Sequence, residues 1–192
     1  MMNIVLFGPP GAGKGTQAQK LVEKYALRHV STGDIIRGEI KAGTALGRSV
    51  ESYIQKGELA PDALVINIIA DYLERNCADC PGIIFDGFPR TTVQAEQFDR
   101  MLADHNMKVD MMLSLEVPED ELVERLLLRG STSGRADDAN QTVIRNRIHV
   151  YNAQTAIVTD YYAAQDKYVA VNGLGAIDEI FARLCDRIDR HL

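Results

Sequence analysis

A glycine-rich loop near the N-terminus carries the strongest chemical signal in the sequence. Residues 8–14 read GPPGAGK and fit the pattern GxxxxGK, between a short apolar run and an amphipathic segment. Glycines let backbone N–H groups converge on phosphate oxygens, the following helix adds partial positive charge at its N-terminus, and Lys14 supplies a mobile cation. The Ser or Thr that usually follows the lysine is replaced by Gly15, with Thr16 one step later. The loop therefore predicts a polyphosphate site that lacks the usual hydroxyl ligand for Mg²⁺ at position 15.

Charged residues also follow two other apolar runs of the sequence. Residues 86–90 read DGFPR after one run, and residues 31–34 read STGD after another, with Arg37 one turn further on. Ligands bind at the carboxyl ends of parallel strands, where Asp86 could hold Mg²⁺ through water and Arg90 could face an anion. On its own the first segment also fits a surface turn with a solvated arginine. The second, taken alone, fits a helix N-cap with a surface arginine better than a ligand site.

Arginines are concentrated in one short part of the chain. Five of them fall there: Arg125, Arg129, Arg135, Arg145 and Arg147. Arg125 and Arg129 are four residues apart and share one helix face, but Glu121 is placed to pair with Arg125, so the spacing fits a solvated face equally well. Asp137 and Asp138 follow Arg135 in a polar loop and could hold that loop in place when it closes.

Composition excludes several classes of protein. The chain has 192 residues, with 21 Lys and Arg against 27 Asp and Glu, a net charge of -6. A general nucleic-acid binder needs a broadly basic face, and the apolar runs are too short to span a bilayer. The N-terminus does not read as a secretory leader, and three cysteines without a disulfide framework suit a reducing cytosol, so we expect a cytoplasmic protein. Cys77 and Cys80 form a lone CxxC and are expected to be ordinary thiols.

The elements that must position these residues alternate between strands and helices. Apolar runs predict strands at residues 3–7, 28–31, 82–85, 111–115 and 167–171. Helical patterns cover residues 15–25, 34–41, 46–55, 62–75, 92–102, 118–129 and a segment from 176. Continuous apolar strands separated by helices predict an α/β fold with a five-stranded parallel sheet covered on both faces. Three short helices between the second and third strands predict an inserted helical subdomain.

Several motifs in order give the chain a family resemblance over nearly its whole length. They read GPPGAGKGTQ at 8–17, STGDIIR at 31–37, GELAPD at 57–62, FDGFPRT at 85–91, RLLLRG at 125–130, SGR at 133–135, DD at 137–138 and VNG at 171–173. In these motifs the sequence resembles the adenylate kinases and their nucleoside-monophosphate-kinase relatives. The resemblance implies one P-loop kinase domain with a three-layer core (1–30, 61–129 and 139–192), a monophosphate-binding arm at 31–60 and a lid at 130–138.

The resemblance also implies a reaction. It is the reversible, direct in-line transfer of a phosphoryl group from Mg·ATP to AMP, giving two ADP and maintaining adenine nucleotide balance, with arm and lid closing over the site. ATP, AMP and ADP are then the partners and Mg²⁺ the cofactor, and neither nucleic acid nor membrane is expected. The residues between Gly130 and Asn140 include no Cys or His, so the resemblance is to the short-lid form without structural zinc. A monomer is expected.

The family's site residues transfer onto matching positions of this chain. Five are expected to act in catalysis: Lys14, Arg90, Arg125, Arg135 and Arg147. ATP contacts are expected from Gly11, Ala12, Gly13, Lys14, Gly15, Thr16, Arg129 and Gly175. AMP contacts are expected from Thr32, Arg37, Glu58, Leu59, Ala60, Gly87, Phe88, Pro89, Arg90, Gln94, Arg135 and Arg147. Asp34 and Asp86 are expected to hold Mg²⁺ through water. The family's last arginine precedes an apolar residue and a tyrosine four on, which Arg147 matches, so Arg145 is expected at the surface.

Two other functions stay open at this point. A kinase for UMP or CMP would share most of these motifs, although Thr32 and Gln94 favour adenine because pyrimidine-specific relatives tend to carry Ala and Asn there. A nucleotide sensor could keep the fold and bind ATP without turnover. Six residues that catalysis would need are present and argue against that alternative: Lys14, Asp86, Arg90, Arg125, Arg135 and Arg147.

Overall fold

A computed structural model describes residues 1–76, 81–138 and 140–191 of the chain. Five parallel strands form one sheet in the order β2-β3-β1-β4-β5. They are β1 (Met2–Phe7), β2 (Arg28–Ser31), β3 (Gly82–Asp86), β4 (Met111–Glu116) and β5 (Tyr168–Asn172). The prediction of an α/β fold with a five-stranded parallel sheet is confirmed. The predicted thiols Cys77 and Cys80 lie outside the described residues.

Helices connect the strands and cover the sheet. Over the described residues they are α1 (Lys14–Tyr25), α2 (Thr32–Ala42), α3 (Ala45–Lys56), α4 (Asp62–Asn76), α5 (Thr92–Asp104), α6 (Glu119–Ser133), α7 (Gln141–Val150), α8 (Val158–Ala163) and α9 (Ile177–Asp189). A 3₁₀ turn at Ala136–Asp138 precedes α7, and a π-helical segment at Tyr151–Thr155 follows it. In these parts of the chain no helix combines the length and the apolar character needed to cross a bilayer.

The sheet has an apolar core on each face because side chains alternate along its strands. In β1, Val5 and Phe7 join the cluster that contains Phe85 and Phe98, whereas Ile4 and Leu6 join the cluster on the other face. The whole of β3 is buried. Both faces are therefore covered, and the free carboxyl ends of the strands are left as the place for a ligand.

The inserted subdomain between β2 and α4 contains the two short helices α2 and α3. Ser31 caps α2 by accepting a hydrogen bond from the Asp34 N–H at 3.3 Å, so the N-cap expected from the sequence is present. The two helices approach closely at Gly47, where a Cβ atom would lie 2.2 Å from the carbonyl oxygen of Glu39. Only glycine permits this contact, which sets the shape of the arm.

The predicted end of α6 was wrong by four residues. The sequence placed it at about Arg129, whereas the helix continues to Ser133, so the expected lid segment begins inside a helix. The hydroxyl groups of Ser131, Thr132 and Ser133 donate to carbonyl oxygens one turn back, and the helix satisfies them internally. The helix continues through Gly130 and ends at Gly134, which adopts a left-handed φ of +66°. Gly130 is needed for another reason: a Cβ atom there would lie 2.4 Å from the carbonyl oxygen of Asp138. The π-helical segment and α8 were not predicted.

Candidate active site

One cavity of about 900 Å³ lies at the carboxyl ends of the strands. Its walls come from the loop after β1, the arm, the loop after β3, α6, α7 and the start of α9. Nineteen predicted site residues line it: Gly11, Ala12, Gly13, Lys14, Gly15, Thr16, Asp34, Arg37, Glu58, Leu59, Asp86, Gly87, Pro89, Arg90, Arg125, Arg129, Arg135, Arg147 and Gly175. The volume is at the upper end of the ~300–1,000 Å³ range of ligand pockets.

The loop after β1 wraps around the side chain of its own lysine. Gly13 has a φ of +92° and directly precedes α1, a left-handed conformation that favours glycine. Lys14 Nζ donates to the carbonyl oxygens of Gly8 and Pro9, at 2.7 and 3.0 Å. Burial, together with the charges of nearby arginines, lowers the pKa of Lys14 to about 8, although Asp86 partly offsets this. The charge of the buried Lys14 ammonium group is therefore only partly balanced by Asp86, so the loop is able to bind an anion.

A buried carboxylate lies among three arginines at and beside the lid. Asp138 is fully buried and accepts two hydrogen bonds from Arg129, at 2.6 and 3.1 Å, and another from Arg147. Arg135 Nε lies 3.5 Å from the same carboxylate. Three arginines from α6, the lid turn and α7 therefore share one anion, which holds them together beside the cavity.

Asp137 pairs with two of the same arginines. Its carboxylate accepts from Arg135 at 3.0 and 3.3 Å and lies 3.1 Å from Arg147. Burial alone would raise the pKa of Asp137, but the hydrogen bonds from Arg135 and the charge of Arg147 outweigh burial and lower that pKa to about 2. Both aspartates of the predicted DD motif are therefore ion-paired to the arginines.

Arg90 and Arg37 lie on the arm side of the cavity. Arg90 Nε donates to the Gly87 carbonyl at 2.7 Å, and burial followed by the charge of Arg147 lowers the pKa of Arg90 to about 10. Arg37 pairs with Asp34, one turn earlier on α2. Both guanidinium groups thus line the same cavity as the phosphate loop.

Four predicted acceptor residues lie behind the cavity wall in the described structure. They are Thr32, Ala60, Phe88 and Gln94, all buried. Thr32 Oγ1 donates to the Gly87 carbonyl at 2.9 Å, and the Phe88 ring packs edge-on against Phe98 with 5.1 Å between ring centroids. These side chains fix the loop whose backbone lines the cavity.

Arg125 takes different partners from the other arginines. Its Nε donates to Glu121 at 2.7 Å, the pairing expected from a solvated face, but its terminal nitrogens donate to the Gly173 carbonyl at 3.2 Å. The side chain lines the cavity next to the turn that contains Gly175. Arg145 is exposed on α7, as expected.

Comparison with known proteins decides the family. The adenylate kinase family model matches residues 6–167. A protein of Bacteroides thetaiotaomicron named adenylate kinase is 52% identical over 190 residues, covering 99% of this chain and 100% of that protein. An adenylate kinase of Flavobacterium psychrophilum is 49% identical over 189 residues, covering 98% and 99%. The chain belongs to the adenylate kinase family. It is therefore an enzyme, a phosphotransferase.

Adenylate kinases work with Mg·ATP, and the acidic residues here fit such a metal. Asp86 lines the cavity below the phosphate loop, and Asp34 does so from the arm. The described residues contain no cluster of three or more His, Cys, Asp or Glu side chains that could hold a metal by themselves. Mg²⁺ is commonly held by one or two carboxylates, waters and substrate phosphates, so this donor set suits a metal that arrives with the nucleotide.

The structure adds apolar wall residues that sequence reasoning missed. Leu128, Ile177 and Ile180 line the cavity, and so does Tyr151, whose ring centroid lies 5.7 Å from that of Phe7 in β1. Burial raises the pKa of Tyr151. No sequence signal separates these positions from ordinary core residues. The nearest thing to such a signal is that Leu128 directly precedes Arg129, a predicted site residue.

Proposed function

We propose that this protein catalyses Mg·ATP + AMP ⇌ 2 ADP by direct in-line transfer, without a covalent enzyme intermediate. The observation that carries the proposal is that Lys14 lines one cavity together with four arginines: Arg129, Arg135, Arg147 and Arg90. Transfer between two polyanions needs fixed cations where charge develops, since the protein supplies mainly positioning and electrostatic stabilisation. Membership of the adenylate kinase family supports the same reaction.

The donor nucleotide is proposed to occupy the half of the cavity between the phosphate loop and α9. Backbone N–H groups of residues 11–16 and Lys14 bind its phosphates, because the first N–H groups of α1 have no intrahelical acceptor. When bound with ATP, Mg²⁺ neutralises phosphate charge, and Asp86 with Asp34 would hold it through water. The contact of Arg125 with Gly173 supports a position beside the donor near Gly175, away from the Asp138 cluster.

The acceptor monophosphate is proposed to lie against the arm. Arg37 and Arg90 bind its phosphate, and the backbone of residues 58–60 and 87–89 surrounds the nucleoside, with Thr32 behind that wall. Gln94, buried before AMP binds, contacts the base with its side-chain amide once AMP is bound. Arg135 and Arg147 then lie between donor and acceptor, where each binds phosphate oxygens in addition to its aspartate partners. In this arrangement Arg135 and Arg147 contact the phosphoryl group as it is transferred.

Closure of arm and lid is proposed to exclude water, since an open site would hydrolyse ATP. The arm already touches α7: the Asn146 side chain donates to the Lys56 carbonyl at 2.7 Å. A cytoplasmic, monomeric enzyme with a zinc-free short lid is part of the proposal, and the lid's lack of Cys and His supports the last point.

The experiment that tests this function is a monophosphate panel with purified, Mg-loaded protein. We expect kcat/KM to be highest for AMP among AMP, UMP, CMP and GMP. A preference for UMP or CMP would instead make the protein a pyrimidine monophosphate kinase. Tight ATP binding without turnover, unchanged by Lys14→Ala, would make it a sensor.

A further inference from the structure

An aspartate that the family motifs leave without a role holds the side chain of Gln94. Asp62, the first residue of α4, accepts a hydrogen bond from Gln94 Nε2 at 2.8 Å. On its other side, Gln94 Oε1 accepts from the backbone N–H of Arg90 at 2.7 Å. Gln94 is 1% exposed, so these two partners determine how its amide is placed.

The two partners fix the direction of the amide as well as its position. An ionised carboxylate such as Asp62 can only accept hydrogen bonds, and the backbone N–H of Arg90 can only donate. Rotating the Gln94 amide by half a turn would set oxygen against oxygen at Asp62 and N–H against N–H at Arg90. The oxygen therefore stays toward Arg90 and the nitrogen toward Asp62, with one lone pair and one hydrogen still available for another partner.

Thr91 strengthens the same arrangement. Its hydroxyl donates to Asp62 Oδ1 at 3.1 Å and, as the N-cap of α5, accepts from the Gln94 N–H at 3.1 Å. Because the Thr91 hydroxyl donates its hydrogen bond to Asp62, its lone pairs are left to accept from the Gln94 N–H at the start of α5. Asp62 thus connects the start of α4, directly after the arm, to both the backbone and the side chain of Gln94.

The direction of an amide distinguishes two kinds of purine. A 6-amino purine presents an N–H donor at position 6 and an acceptor at N1, whereas a 6-oxo purine presents an acceptor at position 6 and a donor at N1. An amide with its oxygen and nitrogen fixed in order matches one of these edges and opposes the other. An amide free to rotate would accept both.

We propose that Asp62 is a positioning residue that fixes the Gln94 amide and thereby makes the enzyme prefer 6-amino over 6-oxo purine monophosphates. The inference rests on the proposed function, in which Gln94 contacts the acceptor base. A site that leaves a buried polar group facing the wrong partner rejects the analogue strongly, so one fixed amide is sufficient for a large preference.

The test compares AMP with inosine monophosphate, which differs only at the base edge, at saturating Mg·ATP. We expect Asp62→Ala to lower kcat/KM for AMP by about tenfold, as expected for the loss of one charged hydrogen bond, and to lower the AMP to IMP preference by a similar factor. We expect KM for ATP to stay within about twofold of wild type, because Asp62 does not line the cavity and its hydrogen bonds go to Thr91 and Gln94. Asp62→Asn keeps an acceptor oxygen and restores most of the preference.

Controls separate this role from a purely structural one. Asp71→Ala removes an exposed carboxylate of the same helix, paired with Arg75, and is expected to leave both ratios unchanged. Asp62→Leu, which keeps the branching at Cγ but removes both acceptor oxygens, is a second test if alanine at this position prevents folding. An unchanged AMP to IMP preference in a folded Asp62→Ala or Asp62→Leu variant would overturn the proposal. Absence of AMP-dependent ADP formation by the wild type would instead overturn the proposed function, so the two failures are distinct.

Discussion

The Arg129 guanidinium donates two hydrogen bonds to the Asp138 carboxylate, of 2.6 and 3.1 Å, and so connects α6 to the lid turn. The carboxylate is fully buried, and Arg147 donates to it from α7. Like charges brought this close repel one another unless an anion lies between them. Asp138 therefore acts as the counter-ion that holds Arg129 and Arg147 together beside the cavity.

Removing that charge is expected to destabilise the ligand-free enzyme. In Asp138→Asn the arginines lose their shared anion, and the free energy of unfolding should fall by about 2–3 kcal/mol, reduced from the full buried-pair value because Arg129 is partly exposed. Added sulfate or ATP should recover part of this loss by supplying an anion. Thermal unfolding with and without these anions measures both effects.

A surface ion pair offers the matched comparison. Asp186→Asn removes an exposed partner of Arg190 and should change stability little. If Asp138→Asn and Asp186→Asn unfolded at the same temperature, Asp138 would not be the counter-ion that holds the cluster together.

Arg147 and Arg145 are expected to differ sharply in turnover. Arg147 lines the cavity and pairs with both lid aspartates, whereas Arg145 is exposed on the same helix. Arg147→Ala should lower kcat by on the order of 10³, the effect of removing an arginine that stabilises transition-state charge. Arg145→Ala should change kcat by less than about twofold. Steady-state kinetics of the two variants, made in parallel, would contradict the assignment if the losses were similar or reversed.

The activity with ATP is expected to decline as pH rises above 8. The pKa of Lys14 is lowered to about 8 by burial, and a polyphosphate favours the charged amine and raises that pKa. Below pH 8 the site is ready to bind, whereas above it ATP must bind together with a proton. The phosphate groups of ATP are already ionised at this pH, since their last pKa is about 6, so they do not contribute to the decline. We therefore expect kcat/KM for ATP to fall by up to about tenfold per pH unit above 8 as Lys14 loses its proton.

Arginine at the same position supplies the control for this pH profile. Its guanidinium stays charged throughout the range, so Lys14→Arg should have lower activity but lose the decline above pH 8. An equal decline in both enzymes would assign the pH dependence to another group.

The arm is expected to close less readily without its contact to α7. Asn146 donates to the Lys56 carbonyl, and the adjacent Gly57 lies so close to α7 that a Cβ atom there would be 2.7 Å from Arg147 Cγ. Asn146→Ala should raise KM for AMP by about two- to tenfold, the range for one partly exposed hydrogen bond, and leave KM for ATP nearly unchanged. Gly57→Ala should raise KM for AMP further, because its φ of +74° and the contact with Arg147 both oppose a side chain. Equal effects on the two substrates would argue against an arm-specific contact.

The strands and the phosphate loop were predictable from sequence because local signals agree there. Short apolar runs placed all five strands within about one residue of their observed bounds, and the GxxxxGK pattern placed Lys14 in the cavity. The end of α6 was not predicted because two glycines, Gly130 and Gly134, could each end the helix, and the one that adopts the left-handed conformation is Gly134. The close approach of the Asp138 backbone to Gly130 depends on the fold and has no local signal in the sequence. The hold of Asp62 on Gln94 was missed for the same reason: 32 residues separate partners that only the fold brings together.

The most direct test of the proposed activity is the stoichiometry of ADP formation by the purified enzyme. With Mg·ATP and AMP, two ADP should appear for each ATP consumed, with no ADP formed when AMP is omitted. Lys14→Ala should lower this rate by several orders of magnitude. ADP formation that is independent of AMP, or a wild-type rate no faster than that of Lys14→Ala, would contradict phosphoryl transfer at this site.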